Sequence, residues 1–267
     1  MSKTKTTHEN QAQRPTDEVR SSTTFVLDKN LGLPIHQKPW GEVLSEAGIV
    51  AEASTDLVHI DQLLADHRPD MAYVPGADFC VMIRKGNHYY CGLAIATSKF
   101  TGLPTQRTLL VVRKDDPANS IEDLAGADYG YMNKSCTSSY FPPAIILNRQ
   151  GKRLNEFFKI REVPGWQNRV DAVVSKDIRA TMILEDVWKT TPKNAEDTKI
   201  IGQFDRCPPG IVIIRQHLDE KISHLLLDKL LAWMPDWKDV YGAFRSYYYA
   251  DVQTFSHYLN ELPADMM

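Results

Sequence analysis

The stretch Tyr131–Leu147, "YMNKSCTSSYFPPAIIL", sets five small polar residues, Ser135 to Ser139, between an apolar run and an apolar segment of helical character. It predicts a strand, a polar turn and a helix from about Ser138 to Arg149, with the hydroxyls at the strand's carboxyl end. Open α/β sheets bind ligands at that end. A helix start leaves four N–H groups unpaired and carries about +0.5 of a charge, so Thr137, Ser138 and Ser139 would surround an anion site. A single hydroxyl would also serve simply to cap the helix.

Upstream, "TFVLD" (24–28), "IVAEA" (49–53), "MAYVPG" (71–76) and "YCGLAIAT" (90–97) have the character of strands, with "PWGEVLSEAG" (39–48) and "STDLVHIDQLLADH" (54–67) as helices between them. "RTLLVVRKDD" (107–116) begins a second α/β unit. It continues through the helix "WQNRVDAVVSKD" (166–177) and the strands "IRATMILE" (178–185) and "TKIIGQF" (198–204). After "GIVIIRQH" (210–217) come the amphipathic "DEKISHLLLDKLLAWM" (219–234) and an aromatic-rich helical end. The alternation predicts an α/β protein of two lobes around a cleft, each an open, mostly parallel sheet with helices on both faces. Lobe 1 would comprise 23–106 plus 207–267 with the C-terminal helices, and lobe 2 would comprise 107–206. Residues 1–22, almost free of apolar side chains, would form a disordered tail.

Composition excludes several classes. With 31 basic and 34 acidic residues, a formal charge of -3 and no basic block, the chain lacks the footprint of a nucleic-acid binder. No run approaches the ~18 apolar residues of a membrane span. The polar amino terminus lacks a secretory signal's hydrophobic core, so the chain as written is expected to be cytoplasmic, and periplasmic only if a leader has been removed. Cys80, Cys91, Cys136 and Cys207 are scattered without a C-x-x-C pair and the eight histidines lack ligand spacing, so neither a metal nor a cofactor is expected.

The run "LLVVRKDDPANSIEDLAGADYGYMNKSCTSSYFPPAIIL" (109–147) resembles the second lobe of the phosphate-, phosphite- and phosphonate-binding components of ABC transporters, which are type 2 periplasmic binding proteins. The likeness continues through "VPGWQNRVDAVVSKDIRATMILEDVW" (163–188), "PPGIVIIR" (208–215) and, in the first lobe, "LLADHRPDMAYVPGADF" (63–79). It implies the two-lobed type 2 periplasmic-binding-protein-like fold, hinge closure on a ligand, and an ABC transporter permease as partner if the chain is exported. It also implies an anion cradle at Cys136, Thr137, Ser138, Ser139 and Tyr140, with Cys136 where the family has Ser and Ser139 where it has Gly. A histidine that contacts the anion in many relatives falls at Gln167, which can donate a hydrogen bond but adds no charge. Lys134 stands where Pro is usual.

The opposite lobe would contribute from its own strand ends: Trp40, Gly76, whose bare backbone admits close approach, and Asp78. With Glu185 and Asp186, Asp78 would give the cleft a negative side that pairs with a ligand amine. Plainer readings are a turn at Gly76 and helix caps at Asp78 and Asp186. The expected function is binding of a small anionic or zwitterionic metabolite, phosphonate-like or carboxylate. The alternative is a cytoplasmic enzyme on the same scaffold, of lyase, decarboxylase or dehydratase type, acting on a small carboxylate or aromatic acid. Its acid–base groups would be drawn from Cys136, Asp78, Glu185 and the cleft tyrosines.

Overall fold

The computed structural model describes residues 23–28, 44, 48–54, 57–236 and 239–266. The tail over 1–22, Trp40 and most of the helix expected over 39–48 lie outside the described residues. Two sheets form the protein. One has the order β11-β4-β10-β3-β1-β2, built from β1 (Thr23–Asp28), β2 (Ile49–Ser54), β3 (Met71–Val74), β4 (Tyr90–Ala96), β10 (Ile211–Arg215) and β11 (Phe244–Ser246). The other has the order β7-β6-β8-β5-β9, built from β5 (Gln106–Arg113), β6 (Asp128–Tyr131), β7 (Lys159–Glu162), β8 (Ala180–Leu184) and β9 (Thr198–Cys207).

The unbroken apolar runs become central strands covered on both faces: all of β3 is buried, as are Ile211–Ile213 of β10 and Leu109–Val112 of β5. The two-lobed α/β fold is the expected one, but the sheets are mixed where the alternation predicts mostly parallel. Strands β1, β2 and β3 run parallel, as do β6, β7 and β8. Strand β10 opposes β3 and β4, and β5 opposes β8 and β9. The physical reason is the connectivity. Strands β5 and β10 arrive from the other sheet, through residues 97–105 and 208–210, without a crossover helix to reset their direction.

Among the described residues, the helices of six residues or more are α1 (Leu57–Ala65), α2 (Gly76–Arg84), α3 (Phe141–Asn148), α4 (Trp166–Val174), α5 (Glu185–Thr190), α6 (Glu220–Ala232) and α7 (Ala250–Asn260). Asp219 caps α6, accepting the Lys221 N–H at 2.7 Å. The aromatic-rich end is not all helix: Phe244–Ser246 pairs with β4 as an edge strand before α7 begins. Helix α7 buries Val252, Phe255 and Leu259 at helical spacing, packs on α2, and sets Phe255 edge-on to Phe141 of α3 and Phe204 of β9. Arg149 then forks onto the Glu261 carboxylate at 2.6 and 2.8 Å, tying the C-terminal end to the second lobe. No helix among the described residues is long and apolar enough to cross a membrane.

Candidate functional site

The chain leaves β6 into a series of turns, and α3 starts at Phe141 rather than near Ser138. Pro142 and Pro143 explain the shift, because their fixed φ suits a first helical turn and their missing N–H groups cost nothing there. The same prolines remove two donors from the helix start, so the preceding turn must supply them. The N–H groups of Thr137, Ser138 and Ser139 have no acceptor among the described residues. Ser139 is committed to the scaffold: its buried Oγ accepts the Met132 N–H at 3.0 Å, and its carbonyl accepts the Tyr129 hydroxyl at 2.8 Å. Ser138 is also buried, with Oγ 3.3 Å from Cys136 Sγ.

Helix α2 follows Pro75, whose side chain cannot cap it. The cap comes from across the cleft, where Thr137 Oγ1 accepts the Ala77 N–H at 3.0 Å. At this junction lies a cavity of about 20 Å³, lined by Cys136, Thr137, Ser138, Gln106, Trp166 and Pro75 among others, with room for about one water-sized centre. A larger cavity of about 1140 Å³ runs along α2 past Asp78 and Lys134, and none of Thr137, Ser138 and Ser139 lines it. Gly76 borders the return strand: a Cβ there would come 2.5 Å from the Pro209 carbonyl oxygen and 2.6 Å from that of Pro208. Its bareness therefore admits the chain's own backbone.

Around the small cavity the unsatisfied groups are donors. Trp166 Nε1 and Gln106 Nε2 are buried without a partner in hydrogen-bonding geometry, although Gln106 lies near enough to Asp186 to help keep that carboxyl ionised. Arg169, fully buried, reaches back one turn so that Nη1 donates to the Gly165 carbonyl at 3.0 Å, while Nε and Nη2 have no partner. Its guanidinium carbon stands 5.5 Å from the centre of the Trp166 ring. Burial pushes the guanidinium's pKa down, while Cys136 and Tyr129 lie close enough to oppose that shift.

Arg169 lies on the otherwise apolar stripe Trp166, Val170, Val173 of "WQNRVDAVV", where the sequence reading selects Gln167 instead. Gln167 does not line the small cavity; its Nε2 donates to Asp171 Oδ1 at 2.9 Å and Asn194 Oδ1 at 2.8 Å.

The acidic candidates are also used elsewhere. Glu185 pairs with Lys189 at 2.9 Å and with Arg107 at 3.8 Å. Buried Asp186 accepts from Ser98 Oγ at 3.1 Å and from the Lys99 N–H at 2.6 Å, anchoring the 97–105 connection. Asp78 sits half-buried in the first turn of α2, beside the larger cavity. The structure thus gathers Cys136, Thr137 and Ser138 around the small cavity and leaves Gly76, Asp78, Ser139, Gln167 and Glu185 off its lining. All four cysteines are free; burial pushes the Cys80 thiol up to about 12 and that of Cys207 well above its ordinary value.

Two lobes joined by two connections, with converging donors between them, define a cleft-type binding protein. The family described as "ABC transporter, phosphonate, periplasmic substrate-binding protein" matches residues 41–254, and the chain belongs to it. Among solved structures, XAC2383 from Xanthomonas citri bound to chloride superposes with a TM-score of 0.70 at 18% identity, covering 90% of this chain and 98% of that one. The binding-protein component of an ABC phosphonate transporter from Pseudomonas aeruginosa gives 0.69 at 16% identity, covering 89% and 85%. PhnD1 from Prochlorococcus marinus in complex with methylphosphonate gives 0.68 at 14% identity, covering 90% and 99%. These likenesses establish the fold. No curated protein matches the sequence.

Proposed function

We propose that the cleft binds a small oxyanion without an amine, of the phosphonate or carboxylate type, between the Thr137–Ser138 turn and the start of α2, and that the lobes close on it. The observation that carries this reading is the convergence of unsatisfied donors on one small cavity: the Trp166 indole N–H and the backbone N–H groups of Thr137 and Ser138. Donors without acceptors favour an anion, since each buried unpaired N–H costs about 1–3 kcal/mol until it is satisfied. Glu185 is already paired and Asp78 lies off the cavity, so no carboxylate among the described residues lines it to hold a ligand cation. The ligand oxygen would take over the Ala77 N–H from Thr137 and gain the ends of two elements at once. Delivery to an ABC permease is the role that the family supplies for such a complex. Isothermal titration with methylphosphonate, inorganic phosphite, acetate and 2-aminoethylphosphonate tests the reading. The amine-free anions should bind more tightly, and a chain that bound none of the four would sink it.

A further inference from the structure

We propose that Arg169 is the fixed counter-charge of the bound anion, a guanidinium kept inside the second lobe beside the cradle and left unpaired until an oxyanion enters the cleft. This deepens the function proposed above and rests on it. Arg169 has no exposed surface, and it spends one N–H on the Gly165 carbonyl while Nε and Nη2 have no partner. No carboxylate among the described residues pairs with it. Its near neighbours Tyr129 and Cys136 offer a hydroxyl, itself bonded to Ser139 and Met182, and a thiol. Neither balances a full positive charge.

A charge in that position is expensive, and a methionine of similar length would fill the same space without the desolvation penalty. The stripe on which it lies is otherwise apolar: Trp166, Val170 and Val173. The route from this charge to the ligand is short. The guanidinium carbon stands 5.5 Å from the centre of the Trp166 ring, and Trp166 and Cys136 line the small cavity while Arg169 lies behind that lining. An anion there would sit in a poorly screened field of one positive charge, which selects ligands by their charge. A water molecule could satisfy the free N–H groups but could not neutralise them. Affinity and ligand-free stability are therefore opposed at this residue: the group that attracts the anion penalises the empty protein.

The test uses Arg169→Met, Arg169→Gln and Arg169→Lys in the full chain, melted with and without methylphosphonate and inorganic phosphite and titrated with both. Arg169→Met should melt above the parent without anion, yet bind methylphosphonate about tenfold to hundredfold more weakly, with Arg169→Lys between the two. A residue that merely packs would lose melting temperature instead, so a fall in both Arg169→Met and Arg169→Gln without anion overturns the proposal. Parent-like affinity in either variant also overturns it. If the parent itself binds neither anion, the failure lies with the cleft reading, and the Arg169 proposal falls with it.

Discussion

Thr137 Oγ1 accepts the Ala77 N–H at 3.0 Å, so a hydroxyl of one lobe caps the first turn of a helix in the other. The bond is both a latch and a place-holder. It satisfies a donor that Pro75 cannot reach, and in the proposed function the anion displaces it.

Thr137→Val keeps the shape of the side chain and removes the acceptor. The closed, ligand-free form should lose about 0.5–1.5 kcal/mol, the net worth of one hydrogen bond. Solution scattering without ligand should give a larger radius of gyration than the parent. Superimposable curves would show that the bond does not hold the lobes together.

The neighbouring serines should separate binding from folding. Ser138→Ala removes a hydroxyl that lines the cavity and should weaken anion binding by about 1.5–3 kcal/mol with little change in melting temperature. Ser139→Ala removes the acceptor of the Met132 N–H and should instead cost about 1–3 kcal/mol of stability while affinity changes little. Titration and thermal denaturation of both variants check the pair, and swapped phenotypes would relocate the site.

Gly76→Ala should destabilise by about 1–3 kcal/mol, the usual cost of overpacking, because the new methyl would meet the Pro208 and Pro209 carbonyls at under 3 Å. Chemical denaturation measures this. A neutral outcome would mean that residues 208–210 shift at no cost.

Asp186→Asn addresses the 97–105 connection. Burial raises the Asp186 pKa above 3.8, while the Lys99 N–H and Ser98 hydroxyl pull the other way. The folded state thus keeps this proton to a higher pH than the unfolded chain, so the group removes stability as pH rises from 3.8 through its folded value. The variant lacks that dependence. The melting temperature of the parent minus that of the variant should grow as pH falls from about 7 towards about 4. A constant difference would rule out a raised carboxyl.

The fold was legible because buried strands write themselves as short apolar runs: "MAYV", "LLVV" and "IVII" are central in their sheets. The directions of β5 and β10 were not legible, since a run reads the same whichever lobe it enters from. The cluster of hydroxyls could be read from the sequence as a candidate cradle, but their division of labour could not. That Ser139 serves the scaffold while Ser138 lines the cavity depends on where Met132 and Tyr129 come to lie. Arg169 escaped for a related reason. Arginine on a helix is ordinarily solvated, and only packing shows that this one is fully buried with no carboxylate among the described residues beside it.

The insertion of β10 between β3 and β4 has a consequence for synthesis. The second sheet draws all its strands from residues 106–207, so it can be completed while later segments are still inside the ribosome. The first sheet cannot. Until Ile211–Arg215 emerges, β3 and β4 have no common neighbour, and their unpaired edges stay open to other chains. The topology thus prevents the amino-terminal sheet from being completed first, against the usual order in which amino-terminal portions fold first. The lobe made first is finished last, on a neighbour already in place.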